Sequence, residues 1–471
     1  MSSSAEQKAV DSLEEKWSLP RAHRRTLVES AFVSSIQSTV RFAIAVPEDA
    51  AVISEFLAAH DKTGAEVFKD FSILPPARLQ SPFTILVADC FELRGVLSGS
   101  VGDLKQEESS LLDQATFGAI RSLLPPDCDG FFHFDCFVLH DDYNDADLTR
   151  RLWAEGLELV RRERISFVTA GVCPAAFAEE LGLHDIQPQG RPVHITRMEE
   201  IETKVDAIRN RLPDLPAAYR VPDDGERPVI DEDFFVQRLG RSLRIEVARP
   251  ADFAAIRAFM RNETIRQAPM AQTIQLSRAE IERKAARLQP AFFDDELTLL
   301  ALDEQKICGI MINKHVRIDR QTDVHGDPNK TDFAAEIKAQ GGGSFRLGVQ
   351  WAFLRWIDSL VSQHLPADCS DLFVLDFLGV HPDYRGCRLG AKLWNESMRL
   401  AKRRGFRYVQ CVCSAQASLR IATKSGMSTV FSWPWAAMRC GERALFPDGR
   451  MYDGGEHANV MVGDLHHIKL P

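Results

Sequence analysis

The chain has 471 residues, of which 45% are hydrophobic, 26% charged and 8% aromatic. This length exceeds what one hydrophobic core serves, so two domains with linkers are expected. The net charge of −10 argues against a broadly basic surface for nucleic acid. Because no stretch approaches eighteen uninterrupted apolar residues and the N-terminus lacks a signal-peptide core, neither a membrane span nor export is predicted. A cytoplasmic location is expected, with the nucleus as the alternative.

The chain divides by pattern into four parts. Residues 1–37 are predicted to be an N-terminal extension that contains a helical segment. Residues 38–200 open with a strand, a Pro-x-Asp turn and an amphipathic helix, which predicts a first α/β domain. Residues 201–241 are rich in proline and acidic residues and are predicted to be an extended linker. Residues 242–471 form the second predicted domain.

The second domain repeats the pattern of the first. Pro47 in VRFAIAVPEDAAVISEFLAAH matches Pro250 in LRIEVARPADFAAIRAFMRNE, 203 residues later. Further on, Tyr384 and Trp394 follow Tyr143 and Trp153 at an offset of 241. The offset grows by 241 − 203 = 38, so the second copy carries extra residues. The polar, glycine-rich segment 316–344 is the expected place for an insertion and is predicted to be a long loop. Each copy alternates strands and helices, so two tandem α/β domains with mixed sheets are expected.

The segment VHPDYRGCRLGAKLW, residues 380–394, has the pattern of an anion-binding turn. It follows the buried-strand pattern LFVLDFLGV and opens an amphipathic helix. A helix N-terminus presents unpaired backbone N–H groups and a positive dipole end, which favour phosphate. Gly386 and Gly390 allow close approach of a ligand, and Arg385 and Arg388 supply positive charge. The alternative is a turn that only reverses the chain.

Over residues 372–430 these motifs resemble motifs A and B of the GNAT superfamily of acyl-CoA-dependent N-acetyltransferases. The resemblance implies acetyl-CoA as co-substrate. It assigns the pantetheine arm to the backbone of Leu378, Gly379 and Val380. It assigns the pyrophosphate to Arg385, Gly386, Cys387, Arg388, Leu389, Gly390 and Ala391. Arg388 replaces the middle glycine of the family motif, and the site is expected to persist if Arg388 keeps a helical backbone.

Asp376 is the candidate general base. It lies inside the apolar strand, two residues before Leu378. The resemblance implies that both residues are on the face of the strand that points toward the site. An unshifted carboxylate with a pKa of about 4 is a weak base, so this role needs desolvation or a relaying water. A backbone N–H near Leu378 or Gly379 would hold the oxyanion. The alternative is a structural aspartate, because Asp135 occupies the matching place in the first copy.

Ser414 and Ser418 are the other catalytic candidates. Their spacing after YVQCVC resembles the arylalkylamine N-acetyltransferase branch of the family, in which such serines take part in proton transfer. Ser414 as a helix N-cap is the alternative. The branch usually places a Glu-Pro pair where this chain has Ala268-Pro269, and Glu263 is out of register. Ala422 stands where the family commonly has a tyrosine acid.

Several other residues leave two interpretations open. His381 is either a base or, more simply, a strand-end residue. Trp433, Pro434 and Trp435 either line an acceptor pocket or form a hydrophobic plug. Cys411 and Cys413 form either half of a zinc site or two thiols on one face of a strand. No second metal-binding motif accompanies the cysteine pair, so no metal is predicted.

The first copy is predicted to lack the cofactor site. Residues 140–151 carry a net charge of −2, whereas the matching residues 381–392 carry +2. Asp145 and Thr149 replace Gly386 and Gly390, so a pyrophosphate would meet carboxylates and less permissive backbone.

The sequence therefore predicts an acetyl-CoA-dependent N-acetyltransferase that acts on an amine by direct attack. The C-terminal domain would be active and the N-terminal domain structural. Small arylalkylamines are a candidate acceptor, by resemblance. A non-catalytic acyl-CoA-binding or interaction protein is the alternative, because the family's glutamate and tyrosine are missing from their usual positions.

Overall fold

A computed structural model describes residues 26–470, and the chain divides into two compact units, Met1–Pro213 and Asp214–Pro471. We call them the N-terminal and C-terminal units and treat each by itself. Within residues 26–470 the description leaves out 34–37, 61–82, 90–91, 104–119, 123, 126–127, 129, 141–142, 144, 171–174, 182, 187–192, 211–214, 224–226, 320–325, 341–343 and 447.

The N-terminal unit contains an eight-stranded sheet with the order β1-β2-β3-β4-β5-β6-β8-β7. Its strands are β1 (Thr26–Val33), β2 (Ser38–Ile44), β3 (Ile85–Asp89), β4 (Glu92–Asp103), β5 (Gly130–Leu139), β6 (Phe167–Ala170), β7 (His184–Ile186) and β8 (Val193–Arg197). Its helices are α1 (Ala50–His60), α2 (Ala146–Arg162), α3 (Ala175–Leu181) and α4 (Met198–Asn210). Among the described strands of this unit, only β5 and β6 pair in parallel.

The C-terminal unit has a second eight-stranded sheet, with the order β9-β10-β11-β12-β13-β14-β18-β15. Its strands are β9 (Val229–Val236), β10 (Arg241–Val247), β11 (Leu299–Asp303), β12 (Lys306–Arg317), β13 (Asp371–Val380), β14 (Tyr408–Cys413), β15 (Ser428–Pro434) and β18 (His457–Asp464), with a separate pair, β16 (Arg439–Cys440) and β17 (Arg443–Ala444). Its helices are α5 (Phe253–Phe259), α6 (Pro269–Thr273), α7 (Arg278–Ala285), α8 (Ala334–Gln340), α9 (Phe345–Val361), α10 (Leu389–Arg403) and α11 (Gln416–Lys424).

The two large sheets have the same strand order and the same pattern of strand directions. In both, the fifth strand pairs in parallel with the sixth and antiparallel with the fourth. Each fifth strand also has a β-bulge, at Asp135 in β5 and at Asp376 in β13. The mixed α/β fold expected from the sequence is confirmed, and one topology occurs in both units.

One buried polar contact also recurs in both units. The Tyr143 hydroxyl donates to Asp89 Oδ2 at 2.5 Å, and the Tyr384 hydroxyl donates to Asp303 Oδ2. Each tyrosine follows the fifth strand and each aspartate ends the third strand. In both units the contact therefore fixes the turn after the fifth strand against the C-terminal end of the third strand.

The boundaries drawn from the sequence need two corrections. Thr26–Val33 is a strand of the first sheet, although this part of residues 1–37 was predicted to be helical; residues 1–25 lie outside the described residues. The linker interpretation of residues 201–241 is also wrong. Met198–Asn210 is helical, Tyr219 is buried, and Val229–Val236 pairs with β10. The prediction was based on proline and acidic residues. Acidic residues also occur in β9, because it is an edge strand with much of its surface in solvent.

The insertion at residues 316–344 was predicted to be a long loop, but its described part contains α8. Phe333 is fully buried against α9, with its ring centroid 5.4 Å from that of Trp356. Trp433 lies 4.8 Å from Trp356 and Trp435 lies 4.7 Å from Phe353, ring centre to ring centre. Both tryptophans are buried in this cluster, which supports the hydrophobic-plug interpretation.

Within the parts of the chain that the structure describes, no helix is both long and apolar enough to cross a membrane.

Candidate functional site

The central strands of the C-terminal unit separate partway along their length. β13 pairs with β14 only through residues 372–374 and 408–410. The bulge at Asp376 follows directly, and β13 then continues to Val380 paired with β12 alone among the described strands. The edge of β13 that carries Leu378, Gly379 and Val380 is therefore without a neighbouring strand on the β14 side. An extended ligand arm could pair with a strand edge of this kind.

The turn after β13 presents a row of unpaired amides. Within the described residues, the backbone N–H groups of residues 386–391 have no hydrogen-bond acceptor. Gly386 has a φ of +76° and open space where a side chain would stand. Leu389 begins α10, so these amides include the unpaired donors of the helix N-terminus. Together with the helix dipole, donors arranged in this way can bind an anion with several oxygens.

Arg388 does not have a helical backbone, which was the condition given above for the site to persist. It precedes α10 in the left-handed conformation, with a φ of +64° and a ψ of 9°. This conformation costs an L-residue roughly 1–2 kcal/mol and suits glycine, which explains why the family motif has a glycine at this position. The backbone conformation is compatible with the open amide row. The Arg388 side chain is exposed to solvent.

Arg385 connects the turn to the interior. Its Nε donates to the Val380 carbonyl at 3.2 Å, and its guanidinium also donates to Gln267 Oε1. Gln267 in turn donates through Nε2 to Glu263 Oε2 at 3.0 Å. On the other side of the turn, burial and the hydrogen bond to Asp303 raise the pKa of Tyr384 above its usual range. The turn is thus bonded to side chains of two other segments, through Gln267 and Asp303.

Glu263 is a residue that the sequence analysis set aside. Its buried carboxylate accepts from the Tyr219 hydroxyl at 2.7 Å and lies 3.6 Å from His381 Nε2. Burial, then the charge of Glu263, raises the pKa of Tyr219 well above its usual value. Glu263 lies in a π-helical turn, Met260–Ile265, which changes the register counted along a regular helix. A single sequence gives no signal for such a turn.

The π-helical turn packs directly against β13. A Cβ atom at Gly379 would come within 2.6 Å of the Thr264 side chain, so only glycine fits there. His381, one residue beyond β13, is buried, and its Nδ1 accepts from the Asp383 amide at 3.3 Å. With Nε2 facing Glu263, both ring nitrogens are engaged. This arrangement supports His381 as a strand-end residue rather than a base.

Asp376 is in a more exposed environment than the sequence suggested. Its side chain is 38% exposed, and Oδ2 lies 2.5 Å from Lys314 Nζ. The bulge of β13 is at Asp376 itself. Asp358 of α9 is solvent-exposed, yet desolvation by the surrounding protein, followed by the charge of Asp376, raises the pKa of Asp358 to about 6. Lys314 acts on that pKa in the opposite direction.

The two candidate serines follow β14. The N-cap of α11 is Ala415, so the interpretation of Ser414 as the N-cap is wrong. The Ser418 hydroxyl donates to the Ala415 carbonyl at 2.9 Å. Cys411 and Cys413 share a face, with their sulfurs 3.5 Å apart. The hydrogen bond to Cys411 lowers the pKa of Cys413 and Ser418 lowers it further, while burial raises the pKa of Cys411.

The sequence model of the acetyltransferase (GNAT) family matches residues 276–427. The C-terminal unit contains a GNAT family domain. The matched segment includes β13, the amide row, α10 and β14, and excludes β9 and β10. This family uses acetyl-CoA, and the amide row, Gly386 and the two arginines fit the pyrophosphate of that molecule.

Solved structures similar to this chain include arylalkylamine N-acetyltransferases of mosquitoes. Arylalkylamine N-acetyltransferase 2 from Aedes aegypti is 15% identical, with a TM-score of 0.38, and the match covers 47% of this chain and 99% of that one. A mosquito arylalkylamine N-acetyltransferase-like protein 5b is 19% identical, with a TM-score of 0.38 and coverages of 47% and 100%. The polyamine N-acetyltransferase of Drosophila melanogaster is 13% identical, with a TM-score of 0.36 and coverages of 47% and 100%. No curated protein matches the sequence.

Proposed function

We propose that the C-terminal unit is an acetyl-CoA-dependent N-acetyltransferase that transfers the acetyl group to an amine. The observation that carries the proposal is the row of unpaired amides at residues 386–391, which follows Arg385, includes Arg388 and lies next to the open edge of β13. The GNAT segment at residues 276–427 agrees with it. The names of the similar structures, which include arylalkylamine and polyamine acetyltransferases, favour an amine acceptor.

The proposed reaction is a direct attack. The neutral amine nitrogen adds to the thioester carbonyl, the carbon–sulfur bond breaks, and the leaving thiolate takes up a proton as the amide forms. The backbone at Leu378 or Gly379 is proposed to hold the oxyanion. Arg385 and the amide row would fix the pyrophosphate and thereby place the thioester beside β13. Ser414 and Ser418 are the proposed proton donors to the thiolate.

For the proton acceptor we propose the pair Asp376 and Asp358. Asp376 lies at the bulge beside the open strand edge and forms an ion pair with Lys314. Asp358 has its pKa raised to about 6, close to what a base needs at neutral pH. The charge of Asp376 contributes to that shift, so the two carboxylates are proposed to act together.

The pair predicts a pH dependence. Deprotonation makes Asp358 able to accept a proton, so kcat/KM should rise as pH increases through about 6. In Asp358→Asn this rise should vanish. In Asp376→Asn the rise should move to lower pH, because the neighbouring negative charge is gone. A pH profile of thiol release for the three proteins checks this, and an unchanged profile in Asp358→Asn would contradict the assignment.

The activity itself is tested by thiol release from acetyl-CoA over a panel of arylalkylamines, polyamines and peptides. Turnover that depends on an added amine supports the enzyme. Micromolar binding of acetyl-CoA without turnover for any acceptor favours the second candidate, a non-catalytic acyl-CoA-binding protein. That alternative rests on Ala268 and Ala422, which stand where relatives are expected to have a glutamate and a tyrosine.

We propose that the N-terminal unit is structural and does not bind the cofactor. Asp145 caps α2, and its Oδ1 accepts from the amides of Asp147 and Leu148 at 2.9 and 3.0 Å. These amides match Arg388 and Leu389 of the open row. A carboxylate of the chain therefore occupies the place that an anionic ligand would need.

This difference predicts one acetyl-CoA site per chain. Calorimetric titration of the full chain should give a stoichiometry of about one. A pyrophosphate in the N-terminal unit would have to displace the Asp145 carboxylate from the helix cap, which costs about 1 kcal/mol. It would also be repelled by the negative charge of that carboxylate. Two equivalent sites per chain would contradict the proposal.

A further inference from the structure

The hairpin formed by β9 and β10 lies against the anion-binding turn, although it precedes the matched family segment. The residues that connect β9 to β10 lie at the end of the sheet where β11 and β13 also terminate. The Arg238 guanidinium in this connection donates to the Asp383 carbonyl, two residues before Arg385. Nearby, Asp231 Oδ2 of β9 lies 2.6 Å from Lys392 Nζ in the first turns of α10. The hairpin is therefore anchored both to the turn and to the helix behind it.

The cations around the turn differ in how far their charge is already balanced. Lys392 is paired with Asp231 and with Glu396, whose oxygen lies 2.9 Å from its Nζ. Arg241 is paired with Asp303 at 2.7 Å. Within the described residues, Arg238 has no carboxylate at ion-pair distance, and its one hydrogen-bond partner is a neutral carbonyl. Arg238 is also exposed to solvent.

A guanidinium has five N–H donors, so the bond to Asp383 leaves Arg238 able to bind a second group. Its fork geometry suits a phosphate, and such charge-assisted bonds are stronger than neutral ones. The pyrophosphate of acetyl-CoA is already matched by the amide row, Arg385 and Arg388. The cofactor carries one more phosphate, on the 3′ position of its ribose, which needs a separate cation.

Resting on the proposed function, we propose that Arg238 binds the 3′-phosphate of the cofactor and that the β9–β10 hairpin forms a wall of the acyl-CoA site. The hairpin then gives the chain a preference for the 3′-phosphorylated form. Segments outside residues 276–427 thereby contribute to cofactor recognition.

The test compares CoA with 3′-dephospho-CoA by calorimetric titration of the full chain. Arg238→Ala should weaken CoA binding about tenfold and leave 3′-dephospho-CoA binding unchanged. Arg238→Lys should retain part of the preference, because it keeps the charge without the fork. Arg404→Ala is the control: Arg404 follows the far end of α10, pairs with Glu296 at 3.2 Å, and should leave both affinities unaltered.

Two results would overturn the inference while the proposed function stands. In the first, Arg238→Ala weakens both ligands equally, which would make Arg238 only a support of the turn through Asp383. In the second, neither affinity changes. If the unaltered chain binds neither ligand, the proposed function fails, and this inference fails with it.

Discussion

Gly390→Asp is expected to reduce affinity for acetyl-CoA by at least about a hundredfold, roughly 2.7 kcal/mol, while the protein stays folded. Gly390 lies in the first turn of α10, and a Cβ there would make only ordinary contacts, at 3.5 Å from Leu378 and 3.7 Å from Ile421 and Val380. An added carboxylate would favour the helix N-terminus electrostatically but would repel the pyrophosphate from the amide row. Calorimetric titration measures the loss.

The matched control is Gly390→Asn, which has nearly the same shape and no charge. It should lose much less affinity than Gly390→Asp, since the amide row stays open to an anion. Circular dichroism should show both variants folded. If Gly390→Asp binds acetyl-CoA as tightly as the unaltered chain, residues 386–391 are not the pyrophosphate site.

Glu263→Ala is expected to destabilise the C-terminal unit by about 3 kcal/mol. The substitution would leave the Tyr219 hydroxyl and the Gln267 amide without their buried acceptor and would open a cavity beside His381. Five of the seven tryptophans, Trp351, Trp356, Trp394, Trp433 and Trp435, lie in this unit. Tryptophan fluorescence during urea unfolding of the full chain therefore reports mainly on it.

Glu263→Gln provides the comparison for that measurement. The glutamine keeps the volume and can still accept from Tyr219, so its loss of unfolding free energy should be smaller than that of alanine. A Glu263→Ala transition within about 0.5 kcal/mol of the unaltered chain would show that the buried hydrogen bonds contribute little.

Much of the architecture could be predicted from the sequence because it depends on local patterns. The period of apolar residues indicated the central strands and helices, and the matching positions of Tyr143 and Tyr384 indicated a repeat. Both tyrosines bond to the aspartate that ends the third strand, which explains why the residue occurs in each copy. The amide row was also predictable, since a glycine-containing turn before an amphipathic helix has few other outcomes.

The catalytic groups could not be predicted in the same way. The register of Glu263 depends on a π-helical turn, and that turn depends on how Thr264 packs against Gly379. The environment of Asp376 depends on Lys314 from the neighbouring strand, and that of Asp358, on α9, depends on the charges of both these strand residues. A carboxylate's pKa is set by burial and neighbouring charge, neither of which is a local property.

The sequence by itself determined the mixed α/β class, the repeated pattern and the glycine-containing turn before α10, because hydrophobic period, glycine and charge act over a few neighbouring residues. Only the tertiary structure decided that β9 belongs to the sheet, that Arg388 is left-handed, and that Asp145 caps its own helix while residues 386–391 stay open. These features depend on which distant groups satisfy each backbone amide and each buried charge.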